Sequence, residues 1–227
     1  MTYDLIVIGG GIAGSSLARR MAAHGARVLV VERETQFRDR VRGESLQPWG
    51  VAEARLLGIA DVLHPISQEM LWFALFMNGT PAFRRDLAQT TMHSECMWGF
   101  YHPEAQELLL SAAADAGAEV RRGATVTGIT AGTNPRVTIE AGGGHTDAHA
   151  RLVVLCAGRN PGLRTDLGFT VRRGSIPLLL SGVWLSNLSR EVDPAVAYVD
   201  NNVVNERSRS FPAARKPRPC VLWTSSG

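Results

Sequence analysis

Hydrophobic and polar positions divide this chain into short apolar runs and longer amphipathic stretches. Residues 5–8 and 27–31 are nearly continuous apolar runs, as expected of parallel strands buried on both faces. Residues 11–24 between them have helical spacing, so the chain opens with a β-α-β unit. Residues 47–57 put Val51, Ala54 and Leu57 on one helical face, with Pro48 suited to the first turn and Gly58 to the end. Residues 71–77 and 82–87, broken at Thr80-Pro81, predict a short antiparallel pair, and 97–101 a further strand. Residues 103–116 carry Leu109, Ala112, Ala113 and Ala116 at helical spacing, stop at Gly117 and lead into a strand at 119–121. Residues 125–130, 136–140 and 145–155 then read as an antiparallel meander. Thr133-Asn134-Pro135 and Gly142-Gly143-Gly144 supply its turns. Residues 176–180 and 182–185 predict strands of a second sheet, and patterning fades after about Phe211.

The first loop gives this pattern a chemistry. Gly9, Gly11 and Gly14 form G-x-G-x-x-G between the first strand and the first helix. Gly9 allows the tight turn, Gly11 admits a pyrophosphate close to the backbone, and Gly14 lets the helix pack on the strand. Ile12 and Ala13 open the helix, where free N–H groups and the dipole favour negative charge. Glu32 ends the second strand about 20 residues further on, placed to accept from a ribose hydroxyl. An acid there favours an adenosine with a free 2′-hydroxyl, as in FAD or NAD, while Arg33 beside it leaves NADP open. A glycine-rich turn in another α/β fold would leave the Glu32 spacing unexplained.

Composition narrows the classes. Hydrophobic residues make up 45% and charged residues 20% of 227, ordinary for a globular protein. The net charge of +3 is carried by Arg and is scattered, apart from Arg207, Arg209, Arg215, Lys216 and Arg218. No basic stripe with a nucleic-acid module appears, so no nucleic-acid partner is expected. Cys96, Cys156 and Cys220 match no zinc or disulfide spacing, which points to a reducing, cytoplasmic setting. No stretch reaches the length of a membrane span, and Asp4 with three consecutive glycines argues against a signal peptide. The histidines lack metal-ligand spacing, so no metal is expected. The segment around Gly158, Leu-Cys-Ala-Gly-Arg at 155–159, follows a strand-like run. It reads equally as a loop against an anionic ligand or as a surface turn.

Taken together, segments at 9–14 with Glu32-Arg33, 40–46, 103–128 and 155–164 resemble the FAD-dependent monooxygenases related to para-hydroxybenzoate hydroxylase. The resemblance covers about residues 2–190. It implies an α/β fold: a Rossmann-like FAD/NAD(P)-binding domain with a β-meander (1–70 and 99–170) and part of a mixed-sheet substrate domain (71–98 and 171–227). Residue by residue, it implies that Arg42, with Arg40, lies beside the flavin pyrophosphate. It further implies that the backbone of Val126 meets the adenine, and that Gly158, Arg159 and Arg164 belong to the cofactor loop. Gln106 and His102 stand near the position of the family's helix-initial Arg and are candidates for the flavin. Two residues depart from the family's D-G-x-x-S-x-x-R loop, whose Asp is replaced by Ala157 and Ser by Pro161.

The implied activity uses NADPH or NADH and dioxygen to hydroxylate a small aromatic or otherwise apolar substrate through a flavin C4a-hydroperoxide. The flavin carries that chemistry, so no catalytic side chain is expected. Trp72, Phe73, Phe76, Trp98 and Phe100 would line the substrate pocket, with plain core packing as the alternative for each. A halogenase or reductase on the same fold is the runner-up, although the halogenase W-x-W-x-I-P signature is absent; the nearest stretch is Gly182-Val183-Trp184-Leu185. The family's G-D motif is expected beyond residue 200 and is not found before Gly227. A truncated or frameshifted product, and with it a non-catalytic FAD-domain fragment, is therefore a further expectation. Resequencing the gene tests it, and a stop with no shifted continuation downstream removes it.

Overall fold

The computed structural model describes residues 2–39, 45–78, 80–159, 162–172 and 174, and the strand backbones of 179–184, 194–199 and 221–226. The chain runs through β1 (Thr2–Ile8), α1 (Ile12–Ala23), β2 (Val28–Glu32), β3 (Ser45–Leu46), α2 (Pro48–Leu56), α3 (Ala60–Leu63) and a 3-10 turn (His64–Ile66). Next come β4 (Gln68–Met70), β5 (Trp72–Met77), β6 (Thr80–Asp86), α4 (Leu87–Thr90), β7 (Met97–Gly99), α5 (His102–Asp115) and β8 (Glu119–Arg122). β9 (Thr125–Thr130), β10 (Arg136–Ala141), β11 (Gly144–Leu155), α6 (Gly162–Asp166), β12 (Leu179–Trp184), β13 (Pro194–Val199) and β14 (Val221–Ser226) follow. Packing divides these into two units, 1–38 with 103–174 and 39–102 with 175–227. Residues 45–70, which the sequence reading places with the FAD-binding domain, fall in the second of these units.

In the first unit the sheet order is β8-β2-β1-β11-β10-β9. β8, β2, β1 and β11 are parallel neighbours, while β11, β10 and β9 form the antiparallel meander expected from sequence. β11 belongs to both halves. Residues 144–149 pair with β10, and residues 149–155 pair with β1. The apolar strands alternate between two cores. Ile6, Ile8, Leu29 and Val31 face Val126, Val137 and Ile139. Leu5, Val7, Val28 and Val30 face Ala18 and Ala22 of α1 and Leu110 and Ala113 of α5. Burial of each such aliphatic side chain contributes roughly 1.5–3 kcal/mol, so these strands hold the loop that follows β1 on a rigid base. The alanines on both helices let them approach the sheet closely.

The second unit contains the sheets β3-β7-β4 and β13-β5-β6 and the pair β12-β14. β5 and β6 pair antiparallel as their patterning predicts, and β13 adds to β5 in parallel. α2 buries Val51 and Ala54, and its Gly50 allows Leu46 to lie against the helix, 3.2 Å from where a Cβ would stand. Two strands differ from their patterning. Residues 179–184 form the single strand β12 where the sequence divided two strands at Ser181. Residues 221–226 form β14, antiparallel to β12, where fading pattern implied no strand. The β-prone run Val-Leu-Trp-Thr at 221–224 accounts for it, and the Pro- and Arg-rich stretch before it hid the signal. Among the described residues no helix is long and apolar enough to cross a membrane.

Candidate cofactor-binding site

The site is built on the loop between β1 and α1. Cys156 N–H donates to the Ile8 carbonyl at 2.8 Å, and Gly9 N–H to the Val31 carbonyl at 2.8 Å, so β11 and β2 fix the loop from both sides. Gly9 turns with φ of +105°, and a Cβ there would stand 2.5 Å from the Cys156 carbonyl oxygen. A Cβ on Gly14 would overlap the Gly9 carbonyl oxygen and reach within 3.1 Å of Val7 Cγ1. Both glycines are therefore required by the chain's own packing.

Gly11 differs. Its backbone is extended at φ −69° and ψ −176°, open to any residue, and a Cβ would meet only the Gln106 amide nitrogen, 3.6 Å away. Gly11 is the N-cap of α1 and offers no side chain to the first-turn N–H groups, which include those of Ile12 and Ala13. No acidic residue lies in that turn. The loop thus presents backbone donors and open space at one point, with the Gln106 side chain of α5 beside it. This is a cradle for an anion with the helix dipole behind it.

Glu32 lies at the far side of the loop and is 7% exposed. Its Oε2 accepts from Gly10 N–H at 2.6 Å and its Oε1 from Glu34 N–H at 2.8 Å. A carboxylate offers about four acceptor positions, so both oxygens keep capacity for further donors. Ser15, buried on α1, donates to the Gly10 carbonyl at 2.7 Å and locks the loop from behind. Arg33 is half exposed and lies 3.4 Å from Glu34.

The 156–159 segment also reaches the loop, since Ala157 Cα would stand 3.3 Å from a Cβ on Gly9. Gly158 has φ of +64° with open space around its missing side chain, and Arg164 Nη1 donates to its carbonyl at 2.8 Å. Arg159 is exposed in the same turn. Burial pushes the Cys156 thiol up, so the cysteine behaves as a small apolar residue behind the loop.

The structure therefore brings together Gly9, Gly11, Ile12, Ala13, Gly14, Glu32, Gln106 and, through Ala157, the turn at Gly158. Val126 does not join them by its side chain, which is buried in the core between the sheet faces. Arg40, Arg42 and Pro161 lie outside the described residues. His102 opens α5 in the part of the chain that packs with the second unit. Trp98 and Phe100 are wholly buried in the second unit, whereas Trp72, Phe73 and Phe76 are half-buried on β5. Sequence reasoning missed Gly10, whose N–H binds Glu32, and Ser15, whose buried hydroxyl follows the glycine motif directly. A polar residue inside an apolar helix face was the available signal for Ser15.

Glu107 and Arg122 stand close by. Arg122 forms a fork on Glu107, with Nη1–Oε2 at 2.5 Å and Nη2–Oε1 at 2.9 Å. The Arg122 hydrogen bonds hold the Glu107 carboxyl below its ordinary 4.5, against opposing desolvation. A depressed folded-state value means that this contribution is complete above the ordinary carboxylate range and fades as pH falls through the lower folded value. Wild type is accordingly expected to lose stability on acidification below about pH 4.5 more steeply than Glu107→Gln. Urea titrations of both proteins from pH 6 downward check this; equal acid slopes would contradict it.

A strand, glycine loop and helix, with an acid closing the next parallel strand, define a dinucleotide-binding α/β domain. The chain belongs to the family described as FAD binding domain, whose pattern matches residues 2–215. It is 31% identical over 192 residues to squalene monooxygenase SE2 of Panax ginseng, covering 82% of this chain and 34% of that protein. Its fold is similar to a flavoprotein/dehydrogenase from Cytophaga hutchinsonii, with a TM-score of 0.77 at 22% identity over 88% of this chain and 50% of that one. It is also similar to the myxobacterial chondrochloren halogenase CndH, with a TM-score of 0.59 at 27% identity over 68% of this chain and 37% of that one. The chain thus spans about a third of the squalene monooxygenase's length and half or less of the two solved chains.

Proposed function

We propose that the Gly9–Gly14 loop, Glu32 and Gln106 hold FAD, and that the chain acts as part of a flavin-dependent monooxygenase. The observation that carries the cofactor assignment is Gly11. Neither backbone conformation nor internal packing requires glycine there, so the open space is explained by a ligand approaching the α1 N-terminus. The FAD pyrophosphate would lie over the first-turn N–H groups, with the Gln106 amide as a further donor. Glu32 would accept from the adenosine ribose hydroxyls while Gly10 and Glu34 N–H groups keep its carboxylate oriented. A 2′-phosphate would face that carboxylate, which favours FAD over an NADP-type ligand at this position. In this reading Val126 contributes its backbone alone, Gly158 its turn, and Arg33 and Arg42 flank the ribose and pyrophosphate.

When bound, FAD supplies hydride acceptance from NADH or NADPH and the activation of dioxygen for transfer of one oxygen atom. The chain's own part is to bind, orient and exclude water around that group. Residues 71–98 and 171–227 would contribute to a substrate domain for an apolar organic molecule. The resemblance to a protein named squalene monooxygenase supports an apolar class, and the half-buried aromatics of β5 suit it.

The test is NAD(P)H oxidation by the FAD-loaded chain, with and without apolar substrates such as phenols and isoprenoid alkenes, under ¹⁸O-labelled dioxygen. Stimulated oxidation with one labelled atom in the product is the expected result. Oxygen incorporation that is replaced by halide incorporation when chloride is added would favour the halogenase reading, which the similarity to CndH supports. FAD uptake without any turnover would leave a cofactor-binding fragment.

A further inference from the structure

Arg122 does more than pair with Glu107. In the register of β2 with β8 it stands opposite Glu32. Besides its fork on Glu107, its Nε donates to the Glu34 carbonyl at 3.2 Å, and its guanidinium covers the Phe37 ring, 4.8 Å from the centroid. Glu107 Oε1 also accepts from Phe37 N–H at 2.8 Å. The backbone leaving β2 is thereby tied at Glu34 and at Phe37 to one helix and one strand. Glu34 N–H in turn donates to Glu32 Oε1, and Glu32 Oε2 accepts from Gly10 N–H. A continuous path of hydrogen bonds, joined through the Glu34 backbone, therefore runs from α5, beside Gln106, through Arg122 to Glu32 and the glycine loop.

An ordinary surface ion pair joins two side chains and contributes little. This one binds backbone at both ends, and half of its polar contacts go to the segment that follows Glu32. We infer that Arg122 is a positioning residue for the adenosine end of the cofactor site, fixing the Glu32 carboxylate in place through residues 34–37 with Glu107 as its anchor. The inference rests on the FAD reading given above. Arg is required because a planar fork can serve the carboxylate and the Glu34 carbonyl together, whereas a lysine ammonium is a single point charge.

The experiment measures the affinity of the chain for FAD, by flavin fluorescence quenching, and for ADP, by calorimetry. Wild type is compared with Arg122→Lys, Glu107→Gln and the double variant, with thermal melts alongside. Each single variant is expected to bind both ligands about tenfold more weakly, since each breaks a charge-assisted bidentate contact. The double variant is expected to bind no more weakly than either single one, because the two residues act as one unit. Equal proportional losses for FAD and ADP place the effect at the adenosine half. Wild-type affinity in Arg122→Lys would overturn the role, since charge alone would then suffice. Variants that melt early yet bind normally when folded would overturn it too, as the network would then serve stability only. A wild type that takes up neither FAD nor ADP overturns the cofactor reading itself, and this role with it.

Discussion

Gly11→Glu is expected to leave the fold intact and to remove FAD binding. The two halves of that expectation have separate physical origins. The extended backbone at Gly11 accepts any residue, and the nearest atom to a new Cβ is the end of the flexible Gln106 side chain, 3.6 Å away. Thermal stability should therefore remain within a degree or two of wild type. The added carboxylate, however, would stand where a pyrophosphate approaches the α1 N-terminus. A like charge at about 4 Å costs about 4 kcal/mol at an effective dielectric near 20, nearly a thousandfold in affinity, and even heavy screening leaves roughly a hundredfold. Gly11→Ala separates size from charge and should cost far less. A Gly11→Glu protein that melts normally and binds FAD as wild type does would remove the pyrophosphate from this loop.

Gly14→Ala is expected to do the reverse and damage the fold first. A methyl group there would overlap the Gly9 carbonyl oxygen and press on Val7 Cγ1. The Gly9 oxygen is backbone, held by the bonds that tie the loop to β2 and β11, so no rotamer change relieves the contact. α1 must move off β1, separating Ala18 and Ala22 from Leu5, Val7, Val28 and Val30. Overpacking of this kind costs up to about 3 kcal/mol, or roughly 6–12 °C in melting temperature for a chain of this size. Loss of FAD binding should follow from the displaced helix. A Gly14→Ala variant melting with wild type would show that α1 does not pack as described.

Much of this was readable from residues alone, for identifiable reasons. β1, α1 and β2 announce themselves because a strand buried on both faces must be apolar without interruption, and the glycines fall at its end. The meander 125–155 was legible from its turns, Thr133-Asn134-Pro135 and Gly142-Gly143-Gly144. That β11 continues past the meander to pair with β1 was not, because strand partners distant in sequence leave no periodic mark. The same holds at the site. Glu32 was found by its spacing from the glycines, but its bond to Gly10 N–H depends on how the loop folds back. Glu107 and Arg122 carried no motif, since an ion pair that serves the backbone looks in sequence like any exposed helix acid and strand base. Trp98 and Phe100 admitted both a pocket and a core reading from sequence and lie wholly buried, because large apolar side chains fill cores and line pockets with the same residue types.

The cradle between β1 and α1 is expected to hold one FAD by its ADP half. Titrating the purified chain with FAD, while following the flavin absorbance envelope near 450 nm and retention on a desalting column, tests this. The expected result is saturation at one FAD per chain, displacement by excess ADP, and no saturation in Gly11→Glu. A folded wild-type chain that remains colourless after the column at every FAD concentration would contradict the claim.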